Sequence, residues 1–330
     1  MFTLAELEAA TALVHSRMPP TAVQEWPLLS AHVGTRVLVK HENHTPIGAF
    51  KVRGGIVYID ELARSGTRIK GVISATRGNH GQSIARAATA AGLRSVILVP
   101  HGNSIEKNAA MRAFGAELIE HGIDFDEAAA EAKRLADVED LHMVPSFHAA
   151  LVKGVATYGL ELFRAAPDLE AVFVPIGMGS GICGLISARD LLGLKTELIG
   201  VVAENAPAYA LSFAARAAVP TNTAHTFADG MAVRGPHPTA VDMICRGAAD
   251  VVRVGEDAIA EAMRTLYTTT HNVAEGAGAA PLAALLDLRR RFVGRKVAVV
   301  LSGGNVDLPL YREVLAGGTP RISAQPVVPR

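Results

Sequence analysis

Four short stretches of this sequence set reactive or ligand-gripping side chains among glycines. In TPIGAFKVRGG, Thr45 to Gly55, Lys51 follows Phe50 and precedes Val52-Arg53-Gly54-Gly55. A lysine taken alone reads as a surface charge. Here the aromatic ring before it, and glycines on both sides that let backbone approach a ligand, read as an amine brought to a bound molecule. In SATRGNHGQ, Ser74 to Gln82, Asn79 and His80 occupy a polar turn, free to bind or acting as plain Asx-turn caps. Arg77 sits in the middle of that turn, where a bulky cation is unexpected. In VPIGMGSGICG, Val174 to Gly184, Gly177, Gly179 and Gly181 lead into a helix. Exposed N–H groups and the positive helix end there suit an anion. In VVLSGGNVD, Val299 to Asp307, an apolar run delivers Ser302 to a Gly303-Gly304-Asn305 turn, which alone is compatible with an ordinary αL turn.

Apolar runs and helix-like stretches must hold these turns in place. Strands are expected at Val37–Lys40, Gly71–Ala75, Ser95–Pro100, Glu117–Glu120, Ala171–Pro175, Glu197–Ala203, Val251–Val254 and Lys296–Leu301. Helices are expected between them, among them Gly54–Ser65, Gln82–Ala91, Ser104–Phe114 and Ile182–Leu192. This alternation predicts an α/β fold of βαβ units with parallel sheets. The segment Ala206–Pro238 is the least regular and is expected to form loops near a ligand mouth. The tail Gly317–Arg330 is expected to be loosely ordered.

Composition removes several classes of function. Lys plus Arg equals Asp plus Glu, 32 each, so no global field draws in nucleic acid or anionic membrane. No basic run with aromatic residues points to DNA or RNA. Two cysteines, Cys183 and Cys245, lack CxxC spacing and support neither a disulfide framework nor structural zinc. The start, MFTLAELEAATALVH, has no basic leader and reads as an amphipathic helix. No apolar run approaches the ~18 residues of a membrane span. A reducing, cytoplasmic setting follows. A dinucleotide site is also disfavoured. Glu204 does close the next strand, but GxGxxG (Gly179, Gly181, Gly184) fits only inside a glycine-dense run.

Taken together, the four stretches resemble one family over roughly residues 1–315: the fold-type-II pyridoxal-phosphate enzymes, in the threonine/serine dehydratase and serine racemase branch. AFKVRGG is similar to its Schiff-base lysine motif, RGNHGQ to its SGNHGQ turn, GMGSG to its phosphate cup, and LSGGNVD to its C-terminal motif. The resemblance implies two domains, each a mostly parallel sheet flanked by helices. The larger, cofactor-binding domain would comprise residues 1–50 and 148–330, the smaller residues 51–147, with pyridoxal phosphate in the cleft. It implies that Lys51 is the catalytic, cofactor-linked amine and that Phe50 packs on the cofactor. Gly177, Met178, Gly179, Ser180 and Gly181 would hold the phosphate, Asn79 the phenolic oxygen and Ser302 the pyridine nitrogen. Gly230, beside Asp229, and Glu275 would lie near the ring, although both segments also read as helix-start caps. Thr76, Arg77, Asn79, His80 and Gly81 would bind the substrate.

Departures from the family pattern bear on the substrate. The family's TGSFK reads IGAFK, with Ile47 and Ala49 replacing hydroxyl residues. At the metal site found in some members, Glu204 and Ala208 match but Ala210 replaces the second acid, so no metal is expected. Arg77 stands where racemases carry a proton-shuttling serine, and a guanidinium does not shuttle protons at neutral pH. Arg77 is left to pair with a substrate carboxylate, to stack on an aryl group, or to hold the turn. A hydroxyl at Ser302, in place of a carboxylate, favours β-elimination over transamination. The implied activity is an ammonia-lyase that converts a β-hydroxy-α-amino acid to a 2-oxo acid and ammonia. Threonine or serine is the default substrate, with 3-phenylserine or 3-hydroxyaspartate as larger candidates and a β-replacement synthase as the alternative reaction. The chain ends soon after LSGGNVD, which points to catabolic use without a regulatory domain. The family also implies a homodimer.

Overall fold

Strands that are apolar on every residue can only be covered on both faces, and the computed structural model, which describes residues 2–67 and 69–321, arranges them that way. Among the described residues, ten strands form two sheets. The larger runs in the order β1 (Val23–Glu25), β2 (Arg36–His41), β10 (Lys296–Leu301), β7 (Ala171–Pro175), β8 (Glu197–Ala203), β9 (Asp250–Val254). All its pairings are parallel except β1 with β2. The smaller is all parallel, in the order β5 (Glu117–Glu120), β4 (Arg94–Val99), β3 (Gly71–Ala75), β6 (His142–Met143).

Alternate residues of each strand feed opposite faces. In the larger sheet, Val37, Phe173, Ile199 and Val299 pack against α2 (Pro27–Val33), α11 (Glu256–Thr270) and α12 (Gly276–Leu288). Leu38, Val172, Leu198 and Val300 meet α1 (Leu4–His15), α7 (Ala149–Ala165), α8 (Ser180–Leu191) and α10 (Pro238–Gly247). In the smaller sheet, Val72 and Ile97 pack under α3 (Lys51–Arg64), α4 (Asn79–Ala90) and α5 (Ile105–Ala113). Ile73 and Val96 pack under α6 (Phe125–Glu139). Helices α9 (Ala208–Ala215) and α13 (Leu308–Leu315) complete the set. Among the described residues, no helix is long and apolar enough to cross a membrane.

Strand order reverses once in each sheet. From β3 the chain moves outward to β4 and β5, then returns to β6 on the other side. From β7 it moves to β8 and β9, then returns to β10 on the other side. The carboxyl ends of strands at such switch points leave a crevice that binds ligands. The turns after β3, β7 and β10 are the second, third and fourth stretches singled out above.

Several sequence expectations need correction. Ala206–Pro238 is not loop throughout, since α9 lies inside it. Helices α3 and α4 begin at Lys51 and Asn79, three residues earlier than expected. Gly55, expected to let backbone approach a ligand, serves close helix packing instead, as does Gly154. A Cβ on Gly55 would lie 2.3 Å from the Ser83 hydroxyl of α4, and one on Gly154 of α7 would lie 2.3 Å from the Arg53 carbonyl. The short β1 and β6, and helices α2 and α13, carry too few residues to stand out in the sequence. Most of the tail Gly317–Arg330 lies outside the described residues.

Candidate active site

The crevice is a cavity of about 650 Å³ whose wall takes residues from both sheets. Backbone contacts bring the first and fourth stretches together. The Phe50 N–H donates to the Ser302 carbonyl (3.0 Å), and the Gly304 N–H to the Gly48 carbonyl (2.9 Å). Asn305 ties in the second stretch. Its Nδ2 donates to the Ile47 carbonyl (2.7 Å) and to Asn79 Oδ1 (2.8 Å). The third is reached by Lys51, whose Nζ donates to Ser180 Oγ at 3.1 Å. Four segments far apart in sequence are therefore bonded into one wall.

Lys51 is the first residue of α3 and points its amine into the cavity. Burial alone lowers its pKa to about 8, so a minor but usable share of the amine is neutral near physiological pH. Its Nζ lies 5.1 Å from the centre of the Phe50 ring. His80 is pushed down to about 3 by burial and by the Lys51 charge, so its imidazole is neutral. Its Nε2 is buried without a hydrogen-bond partner among the described residues.

Between β7 and α8 the backbone forms a cradle. Gly179 caps α8 in the left-handed region (φ 96°), and the Tyr209 hydroxyl donates to the Met178 carbonyl (2.9 Å). A Cβ on Gly177 would sit 2.3 Å from the Gly230 carbonyl oxygen, and one on Gly179 2.8 Å from the Ala240 Cβ. The first N–H groups of α8 have no intrahelical acceptors. With the helix dipole they make a pocket for a dianion.

Of the residues expected from sequence, Phe50, Lys51, Thr76, Arg77, Asn79, His80, Gly177, Met178, Gly179, Ser180, Gly181, Gly230, Glu275 and Ser302 all line the cavity. Gly81 does not. Its N–H is taken by Thr76 Oγ1 (3.3 Å), and a Cβ there would strike Met111 Sδ at 2.4 Å, so this glycine serves the packing of α4 on β4 and α5. Thr76 Oγ1 also accepts from the Gly78 N–H (2.9 Å) and staples the turn. Glu275 does not cap α12 with its side chain. It accepts from Asn79 Nδ2 (2.7 Å) and from Lys107 Nζ (3.1 Å).

Lys107 is the residue that sequence reasoning missed. Buried on α5, it also pairs with Asp229 (2.6 Å), tying the smaller sheet's helix to the loop and helix start of the larger. Burial opposes its charge, but the two carboxylates outweigh burial and raise its pKa above the usual lysine range. Burial in turn pushes the Glu275 carboxyl up against the pull of Lys107. The available signal was its spacing: Lys107 and Met111 are one helical turn apart on the buried face of α5. The sequence also left unnamed Asp124, Phe125, Asp126 and Ser146, while Pro220–Thr226 and Arg234 fall within Ala206–Pro238, the segment expected near a ligand mouth.

The family model described as pyridoxal-phosphate dependent enzyme matches residues 16–303. The L-threonine ammonia-lyase of Thermotoga maritima is 33% identical over 319 residues, 96% of this chain and 79% of that protein. The L-threonine ammonia-lyase of Geobacter sulfurreducens is 36% identical over 290 residues, 88% and 72% of the respective chains. The structure of the processed form of threonine deaminase isoform 2 from Solanum lycopersicum matches with a TM-score of 0.86 at 28% identity, over 96% of this chain and 95% of that one.

Proposed function

The chain belongs to the pyridoxal-phosphate-dependent enzyme family, and from that premise we propose that it is an ammonia-lyase that dehydrates a β-hydroxy-α-amino acid to a 2-oxo acid and ammonia. One observation carries the reading. A desolvated lysine amine, its pKa lowered to about 8, stands 3.1 Å from the hydroxyl that opens a glycine-cradled helix start. That pairing of amine and dianion cradle fits a phosphorylated aldehyde, and side chains at Gly177 or Gly179 would fill the space. When bound, pyridoxal phosphate supplies the electron sink for the pair left on the substrate Cα.

We assign the remaining work to this chain's own groups. Backbone N–H groups of Gly177 through Gly181 hold the phosphate, and Phe50 packs beside the ring. Asn79 keeps one N–H beyond its bond to Glu275, and that donor serves the phenolic oxygen. Ser302 offers a neutral hydroxyl to the ring nitrogen, which favours prompt loss of a β-substituent over transamination. Thr76, His80 and the first N–H groups of α4 hold the substrate α-carboxylate. Lys51 Nζ then takes the Cα proton as general base, with a pKa suited to doing so near neutrality. The cleft lies between a larger unit, residues 1–50 and 148–330, and a smaller one, residues 51–147. Curated relatives that act on threonine support the reaction class.

Release of 2-oxo acid and ammonia from a panel of β-hydroxy amino acids is the test. Lys51→Ala is expected to abolish turnover while leaving the circular-dichroism spectrum and melting temperature near wild type. Normal ammonia release by this variant would sink the reading.

A further inference from the structure

We propose that Arg77 selects a β-hydroxy-α-amino acid carrying a second carboxylate, such as 3-hydroxyaspartate, with a 2-oxo diacid and ammonia as products. This substrate class rests on the ammonia-lyase reading above. Charge pairing around the cavity singles out this arginine. Its wall holds four cationic side chains, Lys51, Arg77, Lys107 and Arg234, and four carboxylates, Asp124, Asp126, Asp229 and Glu275. Lys107 takes Asp229 (2.6 Å) and Glu275 (3.1 Å). Arg234 takes Asp126 and, at 3.5 Å, Asp124. All four acids are thereby engaged. Lys51 is committed to the cofactor.

Arg77 is left as the cation with no ion-pair partner among the described residues, although it is partly buried in the wall. A guanidinium stays charged at any working pH, and partial burial without a countercharge is costly. A substrate carboxylate supplies that partner in bidentate form. The α-carboxylate is already provided for by the start of α4, two residues further on, so the arginine is free for the side chain. An aryl side chain fits less well. Besides Phe50, which neighbours the cofactor lysine, Phe125 is the single phenyl ring in the wall. The mouth adds hydroxyls and amides from Ser146, Thr221, Asn222, Thr223 and Thr226, set among the small apolar side chains of Pro220, Ala224 and Val233.

The test uses purified, cofactor-loaded enzyme with 3-hydroxyaspartate, threonine, serine and 3-phenylserine, scored as kcat/KM for 2-oxo acid release. Wild type is expected to favour the diacid. Arg77→Gln is expected to lower the diacid-to-serine ratio of kcat/KM by ~10- to 100-fold, the scale of one charge-assisted bidentate contact. Arg77→Lys keeps the charge without the fork, should fall between the two, and serves if the glutamine variant is unstable. Binding of malate against lactate, measured by calorimetry, gives a readout independent of turnover: wild type should prefer malate and Arg77→Gln should lose that preference. Equal loss on every substrate, a wild-type preference for 3-phenylserine, or equal binding of malate and lactate by wild type would each overturn the proposal. If no β-hydroxy amino acid yields a 2-oxo acid, the ammonia-lyase reading falls, and the malate–lactate comparison still decides the role of Arg77.

Discussion

Beneath Lys51 lies a buried charge cluster whose removal has a predictable size. Arg53, two residues along α3, is wholly buried. It bonds Glu161 of α7 at 2.6 and 2.9 Å and Glu42, just after β2, at 2.7 and 3.0 Å. Lys40 adds a 2.5 Å contact to Glu161. Burial alone would raise the Glu161 pKa. The hydrogen bonds and charge of Arg53, with Lys40 behind, reverse that and hold it at about 2, against 4.5 unperturbed. Such a depression is worth about 3 kcal/mol of folding stability at pH 7. Because the folded pKa is the lower one, this stability is complete well above 4.5 and drains away as pH falls toward about 2. Glu161→Gln keeps the volume and one acceptor but leaves Lys40 and Arg53 sharing Glu42. Loss of a proton from Lys40, whose pKa burial already lowers, limits the damage. The expected cost is therefore about 3 kcal/mol at pH 7, or ~4 °C in melting temperature for a chain of this length. By pH 3 the gap between wild type and variant should shrink to about 1 kcal/mol. Urea unfolding across that pH range measures it. A gap below about 0.5 kcal/mol at pH 7, or one that does not change with pH, would refute the electrostatic account.

Two further outcomes follow from the site. Gly177→Ala places a Cβ 2.3 Å from the Gly230 carbonyl oxygen, a backbone atom that cannot swing aside as a side chain would; cofactor retention on dialysis should fall by ~10-fold or more, with about 1–3 kcal/mol lost from stability, and unchanged retention would show that the cradle does not hold the cofactor. In apoenzyme, the rate of cofactor reloading should climb with pH and level off above about 8, as the buried Lys51 amine becomes neutral; a midpoint above about 10, the ordinary lysine range, would show that the amine is not desolvated.

The alternation of apolar runs with helical patterns was enough to predict parallel α/β sheets, because burial on both faces leaves a local signature in each strand. The four turns that line the cavity were legible for a similar reason. A strand, a glycine turn and a helix start lie within about a dozen residues, and their chemistry follows from local backbone demands. Contacts between distant segments were not legible. Lys107 looks like any helix lysine until α5 folds over Asp229 and Glu275, which lie 122 and 168 residues away. Arg53 reads as a motif residue, and only the meeting of β2, α3 and α7 makes it the hub of a buried ion cluster. The same holds for Gly81, which belongs to a binding motif by position yet faces the core, because the first turn of α4 rotates it toward Met111. Arg77 shows the division most clearly. Its oddness in a ligand turn is plain from the sequence. That every carboxylate in the cavity is already spoken for is a property of the assembled wall, since ion pairing depends on distances of a few ångströms that no local pattern encodes.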